Sequence, residues 1–187
     1  MSAAGAAGAV VAVDLGGTKT AVAVVTSDGA IHAKLRHAAS RTGVEASVAQ
    51  VAELAQEALS AASLGWEHVG AAGVCVPGIC FAETGDAWAP NLWGRDEVPL
   101  RAGLEKRLPV PVVIDSDRAA CVLGEQWLGV AHGLTGVVFL AVGTGIGAGI
   151  IAGGQLLRGA GDLLLAGVRR HVLHWAQPLA ARDVASS

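Results

Sequence analysis

A carboxylate, two glycines, two threonines and a lysine fall together at Asp14-Leu15-Gly16-Gly17-Thr18-Lys19-Thr20, between the apolar runs Val10 to Val13 and Ala21 to Val25. Glycine lets backbone N–H groups come close to a ligand, the hydroxyls of Thr18 and Thr20 donate, and Lys19 adds a cation, so the stretch suits an anion. Asp14 cannot bind phosphate itself, but a carboxylate there can hold the water shell of a magnesium ion that does. The plain alternative is an ordinary hairpin turn. A second constellation, Gly143-Thr144-Gly145-Ile146-Gly147, lies between the apolar runs Val137 to Val142 and Ala148 to Ala152. It repeats the opening order of strand, glycine-and-threonine turn, strand, and two such backbone-lined turns read as a nucleotide cleft between related halves.

The elements that must carry these residues follow from the flanking pattern. The runs around the first turn are β-branched and too short for stable helices, so they predict a hairpin of buried strands. Asp28-Gly29 is a turn signal, and Ile31 to His37 supplies a third antiparallel strand. Gly43 opens an alanine-rich segment with Val44, Val48, Val51, Ala55 and Leu59 on one side and Glu45, Gln50, Glu53 and Glu57 elsewhere. That spacing predicts an amphipathic helix ending near Leu64-Gly65, with its acidic residues on a solvated face. Val69 to Val76 is a strand stopped by Pro77-Gly78. Residues 79–98, with Trp88, Pro90, Asn91 and Trp93, keep no period and read as a long functional loop. Pro99 to Leu108 is a short helix, and Val110 to Ile114 a buried strand ending at Asp115-Ser116-Asp117. Arg118 to Gly129 is a helix with Ala120, Leu123 and Trp127 on one face, capped by Asp115 or Ser116.

Composition narrows the function classes. The 187 residues are 52% hydrophobic and only 16% charged, which excludes a disordered chain and allows a substantial core. A formal net charge of −3 and no long basic run argue against a nucleic-acid surface. Cys75, Cys80 and Cys121 are odd in number and form no CxxC pair, which points to reduced thiols and a cytoplasmic protein. Ser2 to Ala9 has no basic region and reads as a loose arm, not a signal peptide. Gly133 to Gly154 carries no charge and is long enough for a spanning helix, but glycines 143, 145, 147 and 149 favour strands and a turn, so no membrane partner is expected.

Taken in order, Asp14 to Thr20, Pro77-Gly78, Pro90-Asn91-Leu92-Trp93 with Pro99-Leu100 and Leu104-Glu105, Val112 to Glu125, and Gly143 to Gly159 resemble the ROK family of bacterial sugar kinases and sugar-responsive repressors. The resemblance implies an α/β, actin-like ATPase fold of ribonuclease H-like domains, with nucleotide and sugar bound between them. It implies one complete N-terminal domain over residues 1–117 and an incomplete second domain over 118–187. By the same likeness the function is phosphoryl transfer from ATP to a hexose, with Mg2+ as cofactor. Asp14, Gly16, Gly17, Thr18, Lys19 and Thr20 then hold phosphates, joined by Gly143, Thr144, Gly145 and Gly147. Asp117 matches the catalytic base, and Gly78, Asn91 and Ser116 join it around the sugar. Ser116 stands where the family has asparagine, so one sugar contact is shortened or lost. The chemistry agrees: a sugar hydroxyl is a weak nucleophile, a carboxylate within reach can take its proton, and a helix N-terminus favours negative charge. Phosphoryl transfer otherwise asks mainly for positioning and charge stabilisation.

Past Gly161 the likeness stops. The family's glutamate and histidine for sugar and its zinc cysteines are absent, no glutamate follows Glu125, and His171-x-x-His174 is too sparse for a zinc site. Leu164, Val168, Val172 and Trp175 keep helical spacing and could cover part of an open sheet. The expectation is a truncated or frame-shifted sugar kinase with impaired turnover, whose second-domain strands expose apolar surface and an edge that favour self-association or a homodimer. The alternatives are a non-catalytic sugar-binding relative of the repressors, for whose helix-turn-helix there is no room before the first strand, and an inactive fragment.

Overall fold

The computed structural model describes residues 8–40, 42–142 and 146–159. Most of the alanine-rich arm, Gly143, Thr144 and Gly145, and the stretch from residue 160 with Leu164, Val168, His171, Val172, His174 and Trp175 lie outside them. The chain divides into two compact units, Met1–Ala120 and Cys121–Ser187.

The first unit is built on a five-stranded sheet. β1 (Ala9–Leu15) and β2 (Lys19–Thr26) form the expected hairpin, and β3 (Ile31–Ala38) adds to β2 through the Asp28-Gly29 turn, where Gly29 takes φ +83°. β4 (Val69–Val76) and β7 (Val112–Ser116) lie parallel to β1, giving the order β3-β2-β1-β4-β7. Period-2 alternation points Val11, Val13, Leu15, Val22, Val24, Val74, Val76, Val112 and Ile114 into the core, while Val10 and Val113 sit 41% and 63% exposed on the other face.

Helices α1 (Val44–Ala61) and α3 (Leu100–Glu105) cover the core face. α1 buries Val48, Val51, Leu54, Ala55, Ala58 and Leu59, the stripe the spacing predicts, and Gly103 of α3 leaves room for Val48. Full burial of each valine or leucine side chain here contributes about 1.5–3 kcal/mol. α1 stops at Ala61, earlier than expected, because Ser63 adopts φ +55° and closes the helix with N–H bonds from Ser63 to Ser60 and from Leu64 to Leu59. That is a Schellman end with serine where glycine is usual.

The passage 79–98 is not an irregular loop. β5 (Ile79–Phe81) and β6 (Asp86–Trp88) pair as a small hairpin, Ala87 bridges to Val98, and α2 (Pro90–Trp93) makes one helical turn. Three-residue strands are too short to display a period, which is why the sequence looked featureless there. Arg101 ties the hairpin loop down by donating to the Ala82 and Glu83 carbonyls at 3.3 and 3.1 Å.

Helix α4 (Asp117–Trp127) begins one residue earlier than expected, and its apolar facing differs. Ala119 and Val122 are buried, while Ala120, Leu123 and Trp127 are exposed. In the second unit, β8 (Val137–Val142), β9 (Ile146–Ala152) and β10 (Gln155–Leu156) form an antiparallel sheet in the order β10-β9-β8. Gly153 and Gly154 turn β9 into β10 with φ +60° and +81°, a two-glycine hairpin connection that other residues adopt only with strain. The uncharged stretch is therefore a β-hairpin, and among the described residues no helix is long and apolar enough to cross a membrane. Val138, Leu140 and Val142 of β8 lie more than half exposed.

Candidate active site

The β1–β2 turn sorts its residues by what each must support. Leu15 and Thr20 are the last register pair before it. The Gly16 N–H donates to the Lys19 carbonyl at 3.0 Å, and a Cβ on Gly16 would stand 2.9 Å from that oxygen, so glycine is required by the tightness of the hairpin. At Gly17 an added Cβ would meet nothing within 4 Å, so the backbone there borders open space. Thr18 and Lys19 are exposed, and the Thr18 carbonyl accepts the Ala39 N–H at 3.0 Å, which fastens the turn to the end of β3.

Thr20, expected to offer its hydroxyl at the turn, has that hydroxyl engaged in the core. The side chain is fully buried on the core face with Val22 and Val24, and it donates to Gln50 Oε1 of α1 at 3.0 Å. The same oxygen accepts the Ser40 N–H at 3.0 Å, while Gln50 Nε2 donates to the Ala38 carbonyl at 2.8 Å. Gln50 thus joins α1, the end of β3 and the base of the turn. The sequence spacing sets Gln50 only off the apolar stripe, although strand alternation from Val22 and Val24 already sends Thr20 inward, where a hydroxyl needs a partner.

The three parallel strands β1, β4 and β7 end along one edge of the sheet. Register places Asp14 beside Cys75, Cys75 beside Asp115, and Val76 beside Ser116. Adjacent strands are about 4.8 Å apart, so the turn after β1, the turn after β4 and the start of α4 are neighbours at that edge. Asp14 is exposed, and the Cys75 thiol donates to its Oδ1 at 3.8 Å. The helix start divides its tasks: Ser116 Oγ accepts the Ala119 N–H at 3.2 Å and is the cap, whereas Asp117 Oδ1 accepts only the following Arg118 N–H at 2.8 Å. The Asp117 side chain is 43% exposed, and the capping hydrogen bond is made by Ser116.

Gly78 and Asn91 join the same neighbourhood through the backbone. A Cβ on Gly78 would collide with the Trp88 carbonyl, and Ala89 is next in line, so β6 packs against the turn only because residue 78 is glycine. Asn91 follows two residues on, exposed in the turn of α2 that Ala89 begins. In addition, Arg118 Nη2 donates to the Gly78 carbonyl at 2.7 Å. Arg118 is a residue that sequence reasoning passed over.

In the second unit, Gly147 belongs to β9, paired with Ala141, so it is a strand residue and not part of the turn; Val142 and Ile146 are the pair that flanks it. Gly143, Thr144 and Gly145 lie outside the described residues.

As for a cation, no group of three or more metal-ligating side chains occurs among the described residues. Magnesium asks for less, since it keeps most of its waters and needs one or two carboxylates beside a phosphate. Asp14, exposed at the strand end next to the turn, fits that demand.

The ROK family model matches residues 10–167. A glucokinase of Thermotoga maritima is 36% identical over 151 residues, covering 80% of this chain and 46% of its own length. The ROK hexokinase of Thermus thermophilus superposes with a TM-score of 0.73 at 34% identity, over 81% of this chain and 49% of the other. A ROK family glucokinase of Streptomyces griseus, solved with glucose and AMPPNP, gives 0.67 at 32% identity, over 82% and 47%. The fold is the actin-like ATPase fold of these kinases. This chain spans about half the length of the curated relatives it matches.

Proposed function

Since this chain belongs to the ROK family, we propose that it serves the transfer of a phosphoryl group from ATP to a hydroxyl of a hexose, with Asp117 as general base. The observation that carries this reading is the common edge: a phosphate-suited turn, the Gly78 turn and an exposed carboxylate at a helix start follow neighbouring parallel strands. Crevices outside the carboxyl ends of such strands are where α/β sheets bind ligands.

In this reading Gly17, Thr18 and Lys19 face the polyphosphate, while Gly16 and Thr20 hold the turn in shape. Gly143, Thr144 and Gly145 form the second phosphate turn, and the two family domains are residues 1–117 and 118–187. Asp117 Oδ1 is fixed by the Arg118 N–H, and Oδ2 has no hydrogen bond among the described residues, so it is the oxygen for the hydroxyl proton. Ser116 keeps its hydroxyl hydrogen for the sugar because its oxygen serves as the cap acceptor. Gly78 and Asn91 line the sugar beside them. Magnesium, held through water by Asp14, would neutralise phosphate charge when bound. The hexose is glucose or an N-acetylhexosamine, and the setting is the cytoplasm; the apolar face of β8 supports self-association.

A coupled ADP-release assay over glucose, N-acetylglucosamine and N-acetylmannosamine tests the proposal. A general base contributes about 10²–10⁴-fold, so Asp117→Asn should lose that much kcat with little change in stability. Equal turnover in the variant refutes the base, and sugar binding without turnover in the parent chain favours a sensor.

A further inference from the structure

The residue after the proposed base is a cation in the first turn of a helix, where the macrodipole disfavours positive charge. Something must offset that placement, and the contacts of Arg118 show what. Its Nη2 donates to the Gly78 carbonyl at 2.7 Å across forty positions of sequence, a charge-assisted hydrogen bond. Its Nε lies 3.9 Å from Asp117 Oδ1, and its own N–H donates to that same oxygen at 2.8 Å. The Arg118 side chain is 32% exposed.

Gly78 has a second close contact as well. The Trp88 carbonyl of β6 packs where a side chain would otherwise stand, so the turn after β4 is clamped between β6 and Arg118. Asp117 and Gly78, both of which the proposed function sets around the sugar, are thereby tied through one side chain.

We infer that Arg118 is a positioning residue, one that fixes the distance between the sugar-side turn and the carboxylate and so sets hexose affinity. The inference rests on the kinase reading for its functional half and on the clamp for its physical half. Lysine could reach the Gly78 carbonyl but lacks the planar fork that spans two acceptors.

The test compares the full chain with Arg118→Met and Arg118→Lys by amide hydrogen exchange, glucose-binding calorimetry and steady-state kinetics. In Arg118→Met the amides of residues 78–81 should exchange faster while those of β1 and β2 do not. Glucose affinity should fall about tenfold, the scale of one hydrogen bond to a charged group, with nucleotide KM unchanged. Arg118→Lys should recover part of the affinity. Unchanged exchange at 78–81 overturns the clamp. Faster exchange with unaltered glucose affinity, or an equal rise in both KM values, overturns the positioning role. A parent chain that neither binds glucose nor turns over refutes the kinase reading and with it that role, and the exchange data then identify Arg118 as a structural strut only.

Discussion

Substitutions at Thr20 and Gln50 separate a residue that supports the phosphate turn from one that faces it. Thr20→Val removes a buried donor, but Gln50 Oε1 keeps its second bond from the Ser40 N–H, so no acceptor is stranded. The cost is that of one ordinary hydrogen bond, about 1 kcal/mol. Gln50→Leu is different: it leaves the fully buried Thr20 hydroxyl and the half-buried Ser40 N–H unsatisfied together, while the exposed Ala38 carbonyl returns to water. Two stranded groups cost about 2–4 kcal/mol. Exchange of the Val11, Val22 and Val24 amides measures opening of this sheet alone; it should quicken about fivefold in Thr20→Val and about thirtyfold or more in Gln50→Leu. Nucleotide affinity should hold within about threefold in Thr20→Val and fall more in Thr18→Ala, since one bond to an anion exceeds a neutral one. Equal destabilisation by the two substitutions would refute the shared-acceptor argument. A large loss of nucleotide affinity in Thr20→Val alone would show that its hydroxyl serves the ligand after all.

Gly78→Ala drives a methyl group onto the Trp88 carbonyl, and because backbone cannot move aside as a side-chain tip can, the cost should be about 1–3 kcal/mol in urea unfolding; a silent substitution would mean the turn is looser than it stands. Ser116→Ala removes the α4 cap and should cost about 1 kcal/mol, whereas Ser116→Asn keeps a capping oxygen and should hold stability while lowering hexose KM. In the β2–β3 turn, Thr26 Oγ donates to Asp28 Oδ1 at 2.6 Å and, with the Ala30 N–H, holds that carboxyl below its ordinary value. A lowered folded-state value means the contribution to stability is present above the ordinary carboxylate value and lost as pH falls through the folded one. An NMR titration should place Asp28 below the ordinary aspartate value, and Thr26→Val should move it upward.

Much of the fold was written in local chemistry. β1, β2, β4 and β8 follow β-branched runs bounded by glycine, proline or aspartate, so their ends lie within about two residues of where the pattern stops. α1 followed its apolar stripe but not its stop, because a serine in the left-handed region supplies no glycine signal. The β5–β6 hairpin escaped notice because three-residue strands have no period. For the site, residue types at Asp14, Gly17, Thr18 and Lys19 announced a turn suited to an anion. The supports were hidden: Gln50 and Arg118 act through contacts thirty and forty residues away, and nothing in their own neighbourhoods in sequence names those partners. Even so, each left a trace. Thr20 has the parity of a core position, and Arg118 has the wrong sign for its helix end.

The separation of 98 positions between Lys19 and the proposed base at Asp117 is bridged by strand direction rather than by loop design. β2 runs back from the β1 turn, and β3 runs forward again, so the chain leaves β3 at the same edge as it left β1 and must cross over through α1 before β4 can begin. α3 performs the same return before β7. Because β4 and β7 both run parallel to β1, whatever follows either strand emerges beside the turn that follows β1, whichever residues compose it. An antiparallel pairing of β7 with β4 would send Asp117 to the far edge of the sheet. Thus the crossovers place the carboxylate, Ser116 caps the helix it stands on, and Arg118 and Trp88 both meet the turn at Gly78.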